Sequence, residues 1–405
     1  MEVVEHLFRR QWGRTVSHLA RLLGSQHLDL AEEAVQDALL KALAVWPLHG
    51  VPPNPEAWLH RVAHNSAIDS LRRQRMHQQK CDELIAALTH SVEQPPPILG
   101  DDELAMIFMC CHPAIPHDSR VALSLKTVGG FNVREIARAF LSEDAAVAQR
   151  LVRAKAKIRE QRLTLELPEG WELEPRLDSV LDVLYFIFNE GYTAHEGDDL
   201  IRIDLCQEAL RLALLIASSP LAQPKVHALI ALMALQSARL PARRDEAGDL
   251  VLLEDQDRSL WDRRLMDLGL HHFNLSLHGA QVTRYHAEAA LAFAHGQPTA
   301  DWPHILSLYD ELLELTPDSP VALLNRAVAV SRLRGPEAAL KEIATLEPEL
   351  GSYYLFLALR GHLLLGCGRR TEAAEQFRAA LECRCSEPER RFLRRKLAAC
   401  EIDAE

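Results

Sequence analysis

The stretch NVREIARAFLSEDAAVAQRLVRAKAKIR, residues 132–159, decides how the chain reads. Val133, Ile136, Ala137 and Phe140 recur at the spacing of one helix face and define a short first helix. Leu141-Ser142-Glu143 interrupt it, and Asp144 is placed to cap a longer second helix by accepting its orphan amides. Val147, Leu151, Ala154 and Ile158 then fall at i, i+4, i+7 and i+11, a stripe that asks to be buried. Arg150, Arg153 and Lys157 occupy another face, with Ala148 and Gln149 beside them. One side packs while another presents cations and an amide, the geometry of a helix-turn-helix whose second helix enters a major groove. The competing reading is a surface helix with a solvated charge run.

Outward from this stretch the charge is uneven. The whole chain is acidic, net −12 over 405 residues, which argues against nonspecific coating of nucleic acid. Residues 1–165 carry 20 Lys+Arg and 19 Asp+Glu, so the deficit lies in the remainder. Two basic runs stand out: Arg61, Arg72, Arg73, Arg75 and Lys80 against Asp69, and six cations from Arg150 to Arg162 against Glu160. Local basic faces on a neutral body suit a specific DNA reader, and an acidic second half suits a protein-facing module.

Proline and glycine are sparse inside long periodic segments, and β-branched alternation is almost absent, so the expected fold class is all-α. A first amphipathic helix spans residues 6–23 and stops at Gly24; a second spans 29–46. In the second, Val35, Leu39, Ala42 and Trp46 form the buried stripe, and Glu33, Gln36, Asp37 and Leu40 share the opposite side. The proline-rich residues 47–53 read as a loop. Asn54 caps the next helix, Pro55 takes its first position, and Arg61, Asn65 and Arg72 share a face along it, with Trp58 assigned to packing. Pro95-Pro96-Pro97 mark a linker over 91–102, between residues 1–90 and a helix-turn-helix domain at 103–165.

An acidic helical extension is expected over 176–300 and repeats over 301–405. There Ala327, Val330, Ala339, Ile343 and Leu346 correspond at an offset of 34 residues to Gly361, Leu364, Ala373, Phe377 and Ala380, the period of tetratricopeptide units. Asn189-Glu190-Gly191-Tyr192 with His195, Asp198 and Asp199 has the residue types of an acid–base or metal cluster, but no nucleophile elbow, P-loop or dinucleotide fingerprint accompanies it. Asp255, Asp257, Arg258 and Trp261 read as a loop pinned by ion pairs and a buried indole. The eight cysteines show no disulfide or zinc spacing: Cys110-Cys111-His112 is too crowded, and Cys383 and Cys385 lack a second pair. No metal, cofactor or enzymatic activity is expected. The start has acids early and no apolar core of a signal peptide, and no apolar run reaches the ~18–20 residues that span a bilayer, so a soluble cytoplasmic protein is expected.

Two separated blocks carry a resemblance. AEEAVQDALLKAL (31–43), a loop and PEAWLHRVAHNSAIDSLRR (55–73) resemble region 2 of bacterial RNA polymerase sigma factors, and 132–159 resembles region 4. Their direct succession is similar to the extracytoplasmic-function group. The blocks FNEGYTAHEGDDLIRIDLCQEALRL, LVLLEDQDRSLWD, RYHAEAALAFAH and LLNRAVAV resemble its subgroup with a large tetratricopeptide-like C-terminal domain. The resemblance implies a factor that binds core RNA polymerase and directs promoter-specific initiation. It assigns Glu33, Gln36, Asp37 and Leu40 to docking on the β′ clamp helices, and implies a β-flap contact as well. It assigns Arg61, Asn65, Arg72 and Arg73 to the −10 element, and Ala148, Gln149, Arg150, Arg153 and Lys157 to the −35 element. The C-terminal half is then a modulating surface for a regulatory protein or for the chain's own DNA-binding half. Ser142-Glu143 depart from the common turn pattern of an apolar residue followed by proline. Two readings stay open beside it: a helix-turn-helix regulator that never joins the polymerase, and a tetratricopeptide-type scaffold.

Overall fold

The computed structural model describes residues 2–74, 100–140, 142–192, 203–383 and 385–401. The described residues are all-α apart from one isolated bridge, Arg244 with Leu250. They form two compact units, residues 1–187 and 188–405.

The first unit begins with α1 (Glu2–Leu23), α2 (Leu28–His49) and α3 (Pro55–Gln74). Gly24, at φ 87°, takes the left-handed conformation that stops α1, and His27 N closes the turn on its carbonyl at 3.0 Å. The α2 stripe is turned inward as expected, with Val35, Ala42 and Trp46 buried and Leu39 half-buried. One expectation fails here: α2 does not stop before Pro47 but runs through it to His49. A proline so near the end removes a single rung of the ladder, and Gly50, at φ 83°, donates to Trp46 O at 2.9 Å to finish the helix. Asn54 Oδ1 accepts from Ala57 N at 3.0 Å, so α3 starts as its cap predicts.

Among the described residues this unit continues with α4 (Gly100–Cys110), α5 (His117–Thr127), α6 (Val133–Ala139), α7 (Asp144–Gln161) and α8 (Leu173–Tyr192), the last as far as Ile187. Residues 100–102, assigned to the linker, are instead the first turn of α4. Asp102 is buried there between His18 Nδ1 at 2.9 Å and Arg21 Nε at 2.7 Å, so a Gly-Asp-Asp that reads locally as loop is held as helix by α1. Residues 91–99, with the proline triplet, lie outside the described residues, as do Arg75, Lys80 and Cys81. The extension, expected from position 176, has its first residues, up to Ile187, in the first compact unit. Arg176 Nη2 donates to Phe108 O at 3.0 Å, Ser179 Oγ accepts from Arg120 Nη1 at 2.6 Å, and Phe186 stacks on Phe140 at 5.5 Å, all within the first unit.

The second unit continues from Phe188 through α9 (Ile203–Ala217), α10 (Pro224–Ala238), α11 (Arg263–Ser276), α12 (Arg284–His295) and α13 (Trp302–Leu315). It ends with α14 (Pro320–Arg334), α15 (Pro336–Ile343), α16 (Tyr354–Gly366), α17 (Arg370–Glu382) and α18 (Glu387–Glu401). Asp301 and Ser319 cap α13 and α14 by accepting from His304 N and Ala322 N. The ten residues of the 34-residue offset are all buried, in the α14–α15 and α16–α17 segments. Gly361 explains one of them: a Cβ there would sit 2.9 Å from the Phe377 ring, so only glycine lets α16 lie this close to α17. His195, Asp198 and Asp199 lie outside the described residues. Trp261 is buried, as the loop reading expected.

Candidate polymerase and promoter interface

The face of α2 opposite its stripe presents Glu33, Gln36, Asp37 and Leu40, all exposed, with Leu40 57% accessible. Leu48 in the last turn of α2 and Val51 just past it are exposed apolar residues as well. Asp37 is not isolated: its Oδ2 accepts from Ser66 Oγ at 2.7 Å, and it lines one groove with Lys41, Ser66, Asp69, Arg72 and Arg73. The acidic α2 face and the cationic end of α3 are therefore continuous.

Arg61, Asn65, Arg72 and Arg73 are all exposed on α3. Arg72 stands 3.6 Å from Asp69, and Arg73 bonds Asp69 O and Ser70 Oγ, contacts at the surface that solvent competes with. Trp58 is half-buried, edge-on to Trp46 at 5.4 Å, which holds the start of α3 on the end of α2.

In the helix-turn-helix, Val147, Leu151, Ala154 and Ile158 are buried, and Ala148, Gln149 and Arg153 are exposed on the outer side. Arg150 is half-buried, 3.8 Å from Asp118 and 3.5 Å from Ser142 Oγ. Lys157 pairs with Glu160 at 3.5 Å. The capping expectation is corrected: Asp144 is the first residue of α7, Glu143 is the N-cap without a side-chain bond, and Asp144 instead faces Arg134 at 3.7 Å. A carboxylate in the first turn still complements the helix dipole from this position. The turn is tied without a proline, because Ser142 N donates to Ala137 O at 2.9 Å and its hydroxyl to Phe140 O at 3.2 Å. Leu141 lies outside the described residues.

Sequence reasoning missed where two α7 cations go. Lys155 Nζ donates to Asp29 Oδ1 at 2.6 Å and to Glu32 Oε2 at 2.8 Å, and Arg159 Nη1 lies 3.4 Å from Asp29 Oδ2. Glu32 Oε1 also accepts from Thr127 Oγ1 at 3.0 Å, so the start of α2 is stitched to both α5 and α7. Burial alone would lower the Lys155 ammonium, but the Glu32 and Asp29 carboxylates outweigh it and raise its pKa. The one local signal was phase: Glu32 precedes Val35 by three residues and so edges the buried stripe. Nearby, Gly130, at φ 70°, lies flat on Trp12, whose indole donates to Lys126 O at 3.1 Å.

Comparison with known proteins agrees with this geometry. The sigma-70 region 2 family matches residues 8–76, which hold most of α1 and all of α2 and α3. The extracytoplasmic-function RNA polymerase sigma factor SigM of Mycobacterium tuberculosis is 27% identical over 154 residues, 38% of this chain and 74% of SigM. These matches support an extracytoplasmic-function sigma-70-like factor, a non-enzymatic regulator with a role in transcription initiation. The chain is of one family with the uncharacterized protein R00370 of Rhizobium meliloti, 40% identical over 382 residues, covering 92% of this chain and 90% of that protein. Residues 176–277 match a family of unknown function (DUF6596). A segment of 102 residues is 32% identical to the small glutamine-rich tetratricopeptide repeat-containing protein 2 of Mycosarcoma maydis, covering 24% of this chain and 27% of that protein. No solved structure matches. No helix among the described residues is long and apolar enough to cross a membrane.

Proposed function

We propose that this factor docks on the β′ clamp helices of core RNA polymerase through Glu33, Gln36, Asp37 and Leu40, and selects promoters with α3 and α7. The supporting observation is the split character of α2, one side buried in the bundle and the other a continuous exposed row of carboxylates, amide and leucine. Arg61, Asn65, Arg72 and Arg73 hold the opened −10 strand, where stacking and phosphate contacts offset the few kcal/mol of unstacking. Ala148, Gln149, Arg150, Arg153 and Lys157 meet the −35 element, with Arg suited to guanine and Gln to adenine. The region carrying α7 touches the β flap, and the second unit is a helical protein-binding module that modulates initiation. SigM carries the name of an RNA polymerase sigma factor, and the same role is proposed for this chain's first unit. Run-off transcription with purified core enzyme tests the assignment. Defined starts on a selected promoter are expected, and DNA binding without any core-dependent start would refute it.

A further inference from the structure

Between α10 and α11 the chain makes a long connection, and residues 245–257 of it carry six acids and no cation. None of these residues is buried, so the segment rests on the unit and is not part of its core. Its contacts follow the helical array in order. At one end Asp249 is held by Arg391 and by Arg395 Nη1 at 2.6 Å, both on α18, and Arg391 Nη2 also donates to Gly248 O at 3.0 Å. Farther along, Glu254 pairs with Arg332 on α14. His362 on α16 lies within electrostatic reach of Glu254, Arg332 and Lys396. Just past the segment, Arg258 Nη1 donates to Gly296 O at the end of α12, at 2.5 Å. The anchors thus fall on α18, on α14 and at the end of α12, helices of the array taken in reverse chain order.

Alternate helices in a stack of helical hairpins share one face, and here the Arg332, Arg391 and Arg395 cations that meet the segment stand on two of them. Asp249 and Glu254 are five residues apart, a reach of at most about 16 Å, and that stretch carries the segment from its contact with α18 to its contact with α14. We propose that this face is a docking groove for an extended acidic peptide of a partner protein, and that residues 245–257 occupy it as an intramolecular stand-in. A partner presenting two carboxylates at that separation takes over the same guanidinium groups and lifts the segment away. The proposal rests on the reading of the second unit as a protein-binding module and names the chemistry of what it binds.

The probe is a fluorescein-labelled peptide, DEAGDLVLLEDQDR, the chain's own residues 245–258, titrated by fluorescence polarisation into the full chain. A tethered segment competes at a local concentration near millimolar, so the wild-type chain binds the probe weakly. The D249N/E254Q chain loses the resident carboxylates and is expected to bind the probe at least about tenfold tighter, less so as salt rises. Adding R391Q/R395Q to that chain is expected to return the affinity to the wild-type level or below. Equal affinity for the wild-type and D249N/E254Q chains overturns the proposal, as does an affinity indifferent to R391Q/R395Q. Circular dichroism checks each fold; should R391Q/R395Q unfold, R332Q, at a side chain 43% exposed, decides in its place. The readout is peptide binding alone, so its failure leaves the polymerase and promoter assignment to the run-off experiment.

Discussion

Replacing Lys155 by Met tests the stitch between α7 and α2. Its side chain is 13% exposed and that of Glu32 is 10% exposed, so the variant strands a carboxylate in a nearly dry setting. Breaking a buried pair from one side costs about 3–5 kcal/mol. Glu32 keeps its Thr127 bond, and Asp29, 56% exposed, keeps Arg159 and water, which places the loss nearer about 2–3 kcal/mol. For a unit of this size that lowers the midpoint of thermal unfolding by roughly 5–10 °C. Glu32→Gln on top of Lys155→Met removes the stranded charge while the amide oxygen still accepts from Thr127, and about 1–2 kcal/mol is expected to return. Calorimetry gives the midpoints, and hydrogen exchange across residues 144–161 locates the loosening at α7. A Lys155→Met protein within about 0.5 kcal/mol of wild type, or a double variant less stable than the single one, refutes the account of this contact.

Asp37→Arg is expected to abolish co-purification with core polymerase while leaving the circular dichroism spectrum intact, since the side chain is exposed; unchanged co-purification removes the docking assignment. Arg150→Ala is expected to weaken promoter binding by about 1–3 kcal/mol and relax preference at one −35 base, read by competition among promoter variants; equal loss on every sequence makes it a phosphate contact. Burial first, then the charges of His18 and His64, lower the His60 pKa to about 4. The unfolded chain therefore takes up a proton near the ordinary value of 6.5 that the folded one refuses until about 4. His60's contribution is present above pH 6.5 and lost on acidification across that window, by up to about 1.4 kcal/mol per pH unit. Urea titrations of wild type and His60→Gln across pH 4–7 check it: the variant is expected to show the shallower decline, and identical slopes would exclude His60 as the source.

Periodicity carried the readings that held. The stripe from Val147 to Ile158, the α2 stripe and the offset linking Gly361 to Ala327 are local patterns, and hydrophobic burial acts on them directly. What stayed hidden was long-range or marginal. Lys155 meets Glu32 across 123 residues and His18 meets Asp102 across 84, and a charge pair at that separation leaves no trace in either neighbourhood. Pro47 misled because a helix tolerates proline in its final turn, which composition alone does not reveal. Asp144 misled by one position, since a carboxylate favours both the cap and the first turn. The exposure of Glu33, Asp37, Arg61 and Gln149 follows from phase; which molecule meets them does not.

Asp29 and Glu32 sit on the same helix as the exposed row Glu33–Leu40, one turn apart, and they hold the helix that carries Arg150 and Arg153. Where promoter capture requires α7 to leave α2, every 1.4 kcal/mol of that grip weakens capture about tenfold. By reciprocity, a polymerase that draws α2 away strengthens capture by the same factor. On that condition two carboxylates would set how good a sequence must be before α7 is released to it, and whatever draws α2 away would lower that threshold.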